Sequence, residues 1–234
     1  MYLPHVGHSS IKEAKRLAAH AQSAGADAIS AVAAFYFKPS CAENLADCMA
    51  EIAAAAPDTP YYYYHIPTVT GVTVSVIDFL KCAEEKIPNL VGVKYTASTL
   101  HEYQDCLQYK NGKFDVLFGY DELLLPALSI GAKGAIGSTY CFAAPMYLNI
   151  MDIFKQGKLE EAASVQYECI KMIKALSMFA SIPAQKEIIK MTGLDLGGCR
   201  LPLNALSKSQ CLALQEYLEA IGFFEKLEDA RKHS

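Results

Sequence analysis

The chain has 234 residues, 52% of them hydrophobic and 20% charged, with a net charge of −4. That is enough apolar side chain for a sizeable buried core in one large domain or two small ones, and the interleaved charges lack the basic face that a nucleic-acid partner requires. The eight cysteines (41, 48, 82, 106, 141, 169, 199 and 211) form no C-x-x-C pair, and His5 with His8 has no cysteine or carboxylate near it in sequence to complete a zinc site. Reduced packing cysteines are therefore expected, with a disulfide framework as the less favoured alternative.

In chain order, residues 1–15 hold no secretory h-region, and residues 2–6 read as the remnant of a strand. A helical pattern follows over 10–23, opened by Ser10-x-x-Glu13 in capping-box form and closed by Gly25. Residues 28–37 are apolar but only about half a membrane span, and read as a strand with its exit loop. Ser40-x-x-Glu43 opens a helix over 41–55, and Pro60 leads into an aromatic strand at 61–64. Then come a helix at 74–84, a strand at 90–94, a helix at 100–109 opened by Thr99-x-x-Glu102 and followed by Gly112, a strand at 114–118, a helix at 122–130 followed by Gly131, and a very short fifth strand at 134–136. Residues 134–151 are uncharged, but Gly137, Ser138, Thr139, Pro145 and Asn149 break them up as a membrane span. A protein with no membrane segment, in the cytoplasm, is the expectation.

Beyond Tyr140 the pattern is helical only. Over 159–179, Leu159, Ala162, Val165, Cys169, Met172, Ile173 and Leu176 recur with a period of about 3.6. Ser207-x-x-Gln210 opens a further helix that Gly222 ends.

Largely apolar strands separated by single helices imply a parallel sheet of βα units. The expected division is a partial barrel over 1–140 and C-terminal helices over 141–234 packed on it as one domain. A doubly wound dinucleotide fold asks for G-x-G-x-x-G after its first strand; Gly131, Gly134 and Gly137 have the wrong spacing at the wrong end of the sheet. A (β/α)8 barrel is the other architecture, although only five strands and the remnant at 2–6 can be counted toward it.

Lys94 ends the apolar run Leu90-Val91-Gly92-Val93-Lys94, at the C-terminal end of a strand where α/β enzymes place their sites. A desolvated amine favours its neutral form, and a neutral amine attacks ketones. The alternative is a lysine that simply emerges into solvent. Tyr64 ends an earlier strand at the same level, followed by His65-Ile66-Pro67. A phenol beside an imine shuttles protons, but tyrosines also pack well in strands. In Gly119-Tyr120-Asp121-Glu122 two carboxylates follow the fourth strand; they suit either sugar hydroxyls or an N-cap with a first-turn acid. In Gly137-Ser138-Thr139-Tyr140, Ser138 is a hydroxyl donor to substrate or a helix cap.

Taken together, YYYYHIP, then GVKYT about thirty residues on, then GYDE, then GSTY resemble the N-acetylneuraminate lyase family, the animal type more than the bacterial. That family lies within the pyruvate-dependent aldolases that include dihydrodipicolinate synthase. The resemblance runs from His5-Val6-Gly7 to the C-terminal helices. It implies a (β/α)8 TIM barrel of the class I aldolase type with a C-terminal helical extension. It implies that Lys94 forms an imine with pyruvate or the open-chain sugar acid, and that Tyr64 handles the C4 hydroxyl proton. Thr96, Gly119, Asp121, Glu122 and Ser138 would bind substrate, and Tyr36 would match an aromatic of the family's fourth-strand loop. The implied reaction gives N-acetylmannosamine and pyruvate from sialic acid, with no metal, no cofactor and no membrane or nucleic-acid partner, in a homotetramer.

Relative to the family, about the first two βα units are expected to be missing, and no GTTGE or GSTGE motif for the pyruvate carboxylate is found; Thr192-Gly193 has the wrong context. Open strand edges would then need cover. Two alternatives accompany the lyase expectation: a noncatalytic shortened variant, and another pyruvate-dependent aldolase of the dihydrodipicolinate synthase kind.

Overall fold

A computed structural model describes residues 2–232, which group into two units. The first is the chain up to Tyr120 together with Ser129–Ile136; the second is Asp121–Leu128 and the chain from Gly137 onward.

In the first unit, strands β1 (Ile29–Val32), β2 (Tyr61–His65), β3 (Leu90–Tyr95) and β4 (Asp115–Phe118) form one sheet in sequential order, every pair parallel. Helix α1 (Ile11–Ser23) precedes β1; α2 (Ala42–Ala53), α3 (Pro67–Thr70), α4 (Val76–Lys86) and α5 (Leu100–Gln108) fill the crossovers. Single-residue bridges extend the sheet at both sides, His5 to Ser30 and Ala135 to Phe118. The strands expected at 2–6 and 134–136 are thus present as one bridge each, and the run 28–37 contributes only four strand residues before its exit loop.

Register decides which side chains meet. Tyr64 lies opposite Lys94, and Lys94 opposite Leu117. Because side chains alternate along a strand, Tyr62, Tyr64, Gly92, Lys94, Asp115 and Leu117 share one face. Tyr61, Tyr63, Val93, Tyr95, Val116 and Phe118 share the other, which is buried against helices. There Tyr63 stacks on Phe79 of α4 with ring centroids 4.5 Å apart, Tyr103 of α5 lies 5.0 Å from Phe118, and the Tyr61 hydroxyl is 3.0 Å from Met49 Sδ of α2. Each such aromatic contributes about 1.5–3 kcal/mol of burial. Gly92 is required by close approach: a Cβ there would collide with the Asp115 carbonyl and lie 2.7 Å from the Tyr62 ring.

The helix starts hold two corrections. The Ser10 hydroxyl accepts from Glu13 N as expected, but the N-cap of α2 is Cys41, with no side-chain bond, rather than Ser40. Thr99 stands at the N-cap of α5 without capping through its side chain. Glu102 does not reach back to it; its carboxylate accepts from Val76 N at 2.8 Å and from the Tyr95 hydroxyl at 2.8 Å. A part-buried charge takes the strongest donors near it, and these are supplied from distant sequence. Gly25, Gly112 and Gly131 have the positive φ that their places after helices demand.

In the second unit a 3₁₀ turn at Asp121–Leu123 leads into α6 (Leu124–Ser129, of which residues up to Leu128 belong here), followed by α7 (Tyr140–Lys155), α8 (Leu159–Met178), α9 (Ser181–Met191), α10 (Lys208–Ala220) and α11 (Phe223–Lys232). Helix α8 packs on α7, α9 and α10, and α11 packs on α7 and α10. Its apolar period holds at Ala162, Cys169, Met172, Ile173 and Leu176, whereas Leu159 is exposed. Helix α7 runs through Pro145, and the irregularity that accommodates it is a non-helical Ala143 at φ −124°. Ser207 and Gln210 form both halves of a capping box. Among the described residues no helix is long and apolar enough to cross a membrane.

Candidate active site

Lys94 and Tyr64 sit at paired register positions on the less enclosed face of the sheet, and both are half-buried. The Lys94 ammonium lies 4.0 Å from the centroid of the Tyr64 ring, within cation–π range. Among the described residues no carboxylate forms an ion pair with Lys94, so the amine is not held in a salt bridge.

Two residues just beyond the strand ends complete this cluster. Thr96 N donates to the His65 carbonyl at 2.8 Å and Gly119 N to the Tyr95 carbonyl at 2.8 Å, so both continue the parallel ladder. The Thr96 hydroxyl oxygen is buried with no hydrogen-bond partner among the described residues. A Cβ on Gly119 would collide with that oxygen and come within 3.2 Å of Lys94 Cε. Glycine at 119 thereby lets the Thr96 hydroxyl and the Lys94 chain come close to the end of β4. A buried hydroxyl without a partner is rare enough to point to a group supplied from outside.

His65 follows Tyr64 yet belongs to the opposite face. It is 4% exposed and packs on Tyr95 with centroids 5.2 Å apart, and its Nδ1 has no partner among the described residues. Burial pulls its pKa down to about 4, against a smaller upward pull from Glu102. His5 approaches Tyr64 from the neighbouring bridge, edge-on at 6.0 Å and 85°. Burial, and then the charge of Lys94, lower its pKa.

In the second unit, Asp121 is buried. Its carboxylate accepts from Thr139 N at 3.1 Å and from Thr139 Oγ1 at 2.6 Å, and that hydroxyl also meets the Tyr147 hydroxyl at 2.7 Å. Gln166 ties the same turn down: its Nε2 donates to the Asp121 carbonyl at 3.2 Å and its Oε1 accepts from Leu125 N at 3.0 Å. Glu122 is half-buried, and burial raises its pKa. Ser138 is exposed.

Of the expected site residues, Lys94, Tyr64, Thr96 and Gly119 come together within the first unit. Within the second, Asp121 is joined to the 137–140 segment, through Thr139 rather than Ser138. His5, Thr139 and Gln166 were not among the expected residues. Their partners lie far along the chain; Thr139 sits inside the GSTY motif and His5 inside the His5-Val6-Gly7 segment where the resemblance starts, neither with a role that the sequence assigns.

Residues 2–221 match the model of the family described as "Dihydrodipicolinate synthetase family". The N-acetylneuraminate lyase of Xenopus tropicalis is 43% identical over 208 residues, covering 88% of this chain and 68% of that protein. The native structure of the N-acetylneuraminate lyase (sialic acid aldolase) of Aliivibrio salmonicida superposes with a TM-score of 0.91 at 39% identity, over 94% of this chain and 73% of that one. A catalytic lysine mutant of the Ruminococcus gnavus sialic acid aldolase superposes with a TM-score of 0.86 at 31% identity, over 99% of this chain and 74% of that one.

Proposed function

The chain belongs to the dihydrodipicolinate synthetase family, with the TIM-barrel aldolase fold and the lyase character of its N-acetylneuraminate lyase relatives, and from that membership we propose that it cleaves N-acetylneuraminate to N-acetylmannosamine and pyruvate through a Schiff base on Lys94. The observation that carries this reading is the Lys94 amine over the Tyr64 ring at 4.0 Å, with no ion pair among the described residues and with Gly119 allowing Thr96 to approach it closely. The solved relative described as a catalytic lysine mutant supports the choice of a lysine.

In this reading the Lys94 amine adds to the C2 ketone of the open-chain sugar acid, and loss of water leaves the imine. Tyr64 takes the proton of the C4 hydroxyl as the C3–C4 bond breaks. The C4 oxygen becomes the aldehyde of N-acetylmannosamine, and the bonding pair passes into the imine to give an enamine. Tyr64 returns that proton to C3, and hydrolysis releases pyruvate and the free amine. The Thr96 hydroxyl is a donor toward bound substrate, which gives its unpartnered oxygen a role. Asp121, Glu122 and Ser138 are assigned to substrate binding. For Asp121, the bonds to Thr139 indicate that it acts by holding the 137–139 turn as much as by direct contact.

Purified chain is assayed for pyruvate release from N-acetylneuraminate and from a panel of other 4-hydroxy-2-keto acids. Cleavage of the sialic acid in preference, lost in Lys94→Ala, is the expected result. Preference for a shorter keto acid would move the chain to another aldolase specificity, and release from none of them by a cooperatively folded chain would leave a noncatalytic relative.

A further inference from the structure

We propose that His5 is a positioning residue for the Tyr64–Lys94 pair, its imidazole holding the Tyr64 ring where the face of that ring meets the lysine amine. The proposal deepens the lyase reading and rests on it for its kinetic consequence.

Four features fix His5. Its backbone is bound on both sides: Ser30 N donates to the Pro4 carbonyl at 3.1 Å and Val6 N to the Ser30 carbonyl at 2.7 Å. Its Nε2 accepts from Val32 N at 3.3 Å, which assigns the proton of the neutral ring to Nδ1. Its ring stands T-shaped to Tyr64, an arrangement that aromatic quadrupoles favour. Gly7 closes behind it, where a Cβ would lie 2.8 Å from His5 Cε1, from His5 Nε2 and from Val32 N.

The ionisable side chains facing the imidazole are Tyr64 from β2 and Lys94 from β3, whereas β1 offers only backbone. Protonation would turn Nε2 into a donor aimed at the Val32 N–H and remove the anchor, and partial burial beside Lys94 opposes it. The result is a row of three groups: a neutral imidazole anchored to the sheet, a phenol ring against its edge, and an amine over the face of that ring. Imine formation needs the amine alone. Cleavage needs the phenol at the C4 hydroxyl, and displacement of a catalytic group by about 1 Å costs on the order of 100-fold in rate.

The test reads the contact directly in protein carrying ¹³C at the lysine ε-carbons. The Lys94 signal is expected to be displaced by the ring current of Tyr64 and is assigned by its change in Tyr64→Leu. His5→Ala moves it toward the Tyr64→Leu position, and His5→Phe, which keeps a ring edge, restores most of the displacement. In turnover, His5→Ala lowers kcat by about 10- to 100-fold with KM changed by less than about threefold and with the pyruvate adduct at Lys94 retained, while His5→Phe recovers activity. A Lys94 signal indifferent to Tyr64→Leu or to His5→Ala, or equal losses in His5→Ala and His5→Phe, overturns the proposal. If the parent chain has no turnover, the lyase reading fails and the Lys94 signal still decides the positioning. If His5→Ala does not fold, His5→Gln, which keeps an acceptor for Val32 N without a ring, takes its place.

Discussion

Four consecutive tyrosines in β2 have two fates. Tyr61 and Tyr63 point to the helix-covered face, are 0% and 1% exposed, and meet Met49 and Phe79. Tyr62 and Tyr64 point the other way, where Tyr62 donates to Asp115 and Tyr64 lies under an amine. The same side chain is packing on one face and chemistry on the other, and a one-residue change of register would exchange them. The lesson is that residue type nominates a candidate, and the neighbour across the strand decides it.

The sharpest way to break this contrast is to remove the amine. Lys94→Ala is expected to reduce sialic-acid cleavage by about 10⁴-fold or more, with little change in melting temperature because the residue is half-buried; a residual rate within tenfold of the parent would contradict the assignment. Tyr64→Phe is expected to lower kcat by about 10²–10⁴-fold, whereas Tyr63→Phe leaves it unchanged. Comparable losses from the two would erase the distinction between the faces. Stability reads the contrast in reverse: Tyr63→Ala should cost about 3–5 kcal/mol in denaturant unfolding, and a cost under about 1 kcal/mol would mean that the helix-covered face is not close-packed.

The buried face also carries a pH signature. The His65 pKa of about 4 lies below the ordinary histidine value of 6.5, so the unfolded chain takes up the proton first. The stability it contributes is complete above pH 6.5 and is lost as pH falls toward 4, by at most about 3 kcal/mol. Denaturant unfolding of the parent and His65→Phe at pH 7, 5.5 and 4.5 should show a shallower loss in the variant; parallel losses would assign the slope to other groups. The smallest effect is expected from Tyr61→Phe, about 1 kcal/mol or less, since only the contact of its hydroxyl with Met49 Sδ is lost.

Much of the fold was legible because its signals are local. The apolar runs at 61–64, 90–94 and 114–118 became strands within a residue or so of their expected ends, and Ser207 with Gln210 formed the capping box that its spacing implies. Illegible features have distant partners. Glu102 looks like the end of a capping box but serves Val76 and Tyr95. Pro145 lies in a stretch that reads as helical, and how α7 passes it, with a non-helical Ala143, is visible only in the structure. The helices at Ser181–Met191 and Phe223–Lys232 were foreseen only as part of a helical stretch. In the site, Lys94 and Tyr64 could be named from strand ends, whereas nothing in the sequence ties His5 to Tyr64 until the fold sets the two rings together.

The most direct test of the central claim is to incubate the chain with pyruvate and borohydride and weigh it intact. A single pyruvate-derived adduct, mapped to Lys94 and absent from Lys94→Ala, is the predicted result. A folded chain that gains no mass while an N-acetylneuraminate lyase relative is labelled in parallel, or an adduct on another lysine, would contradict it.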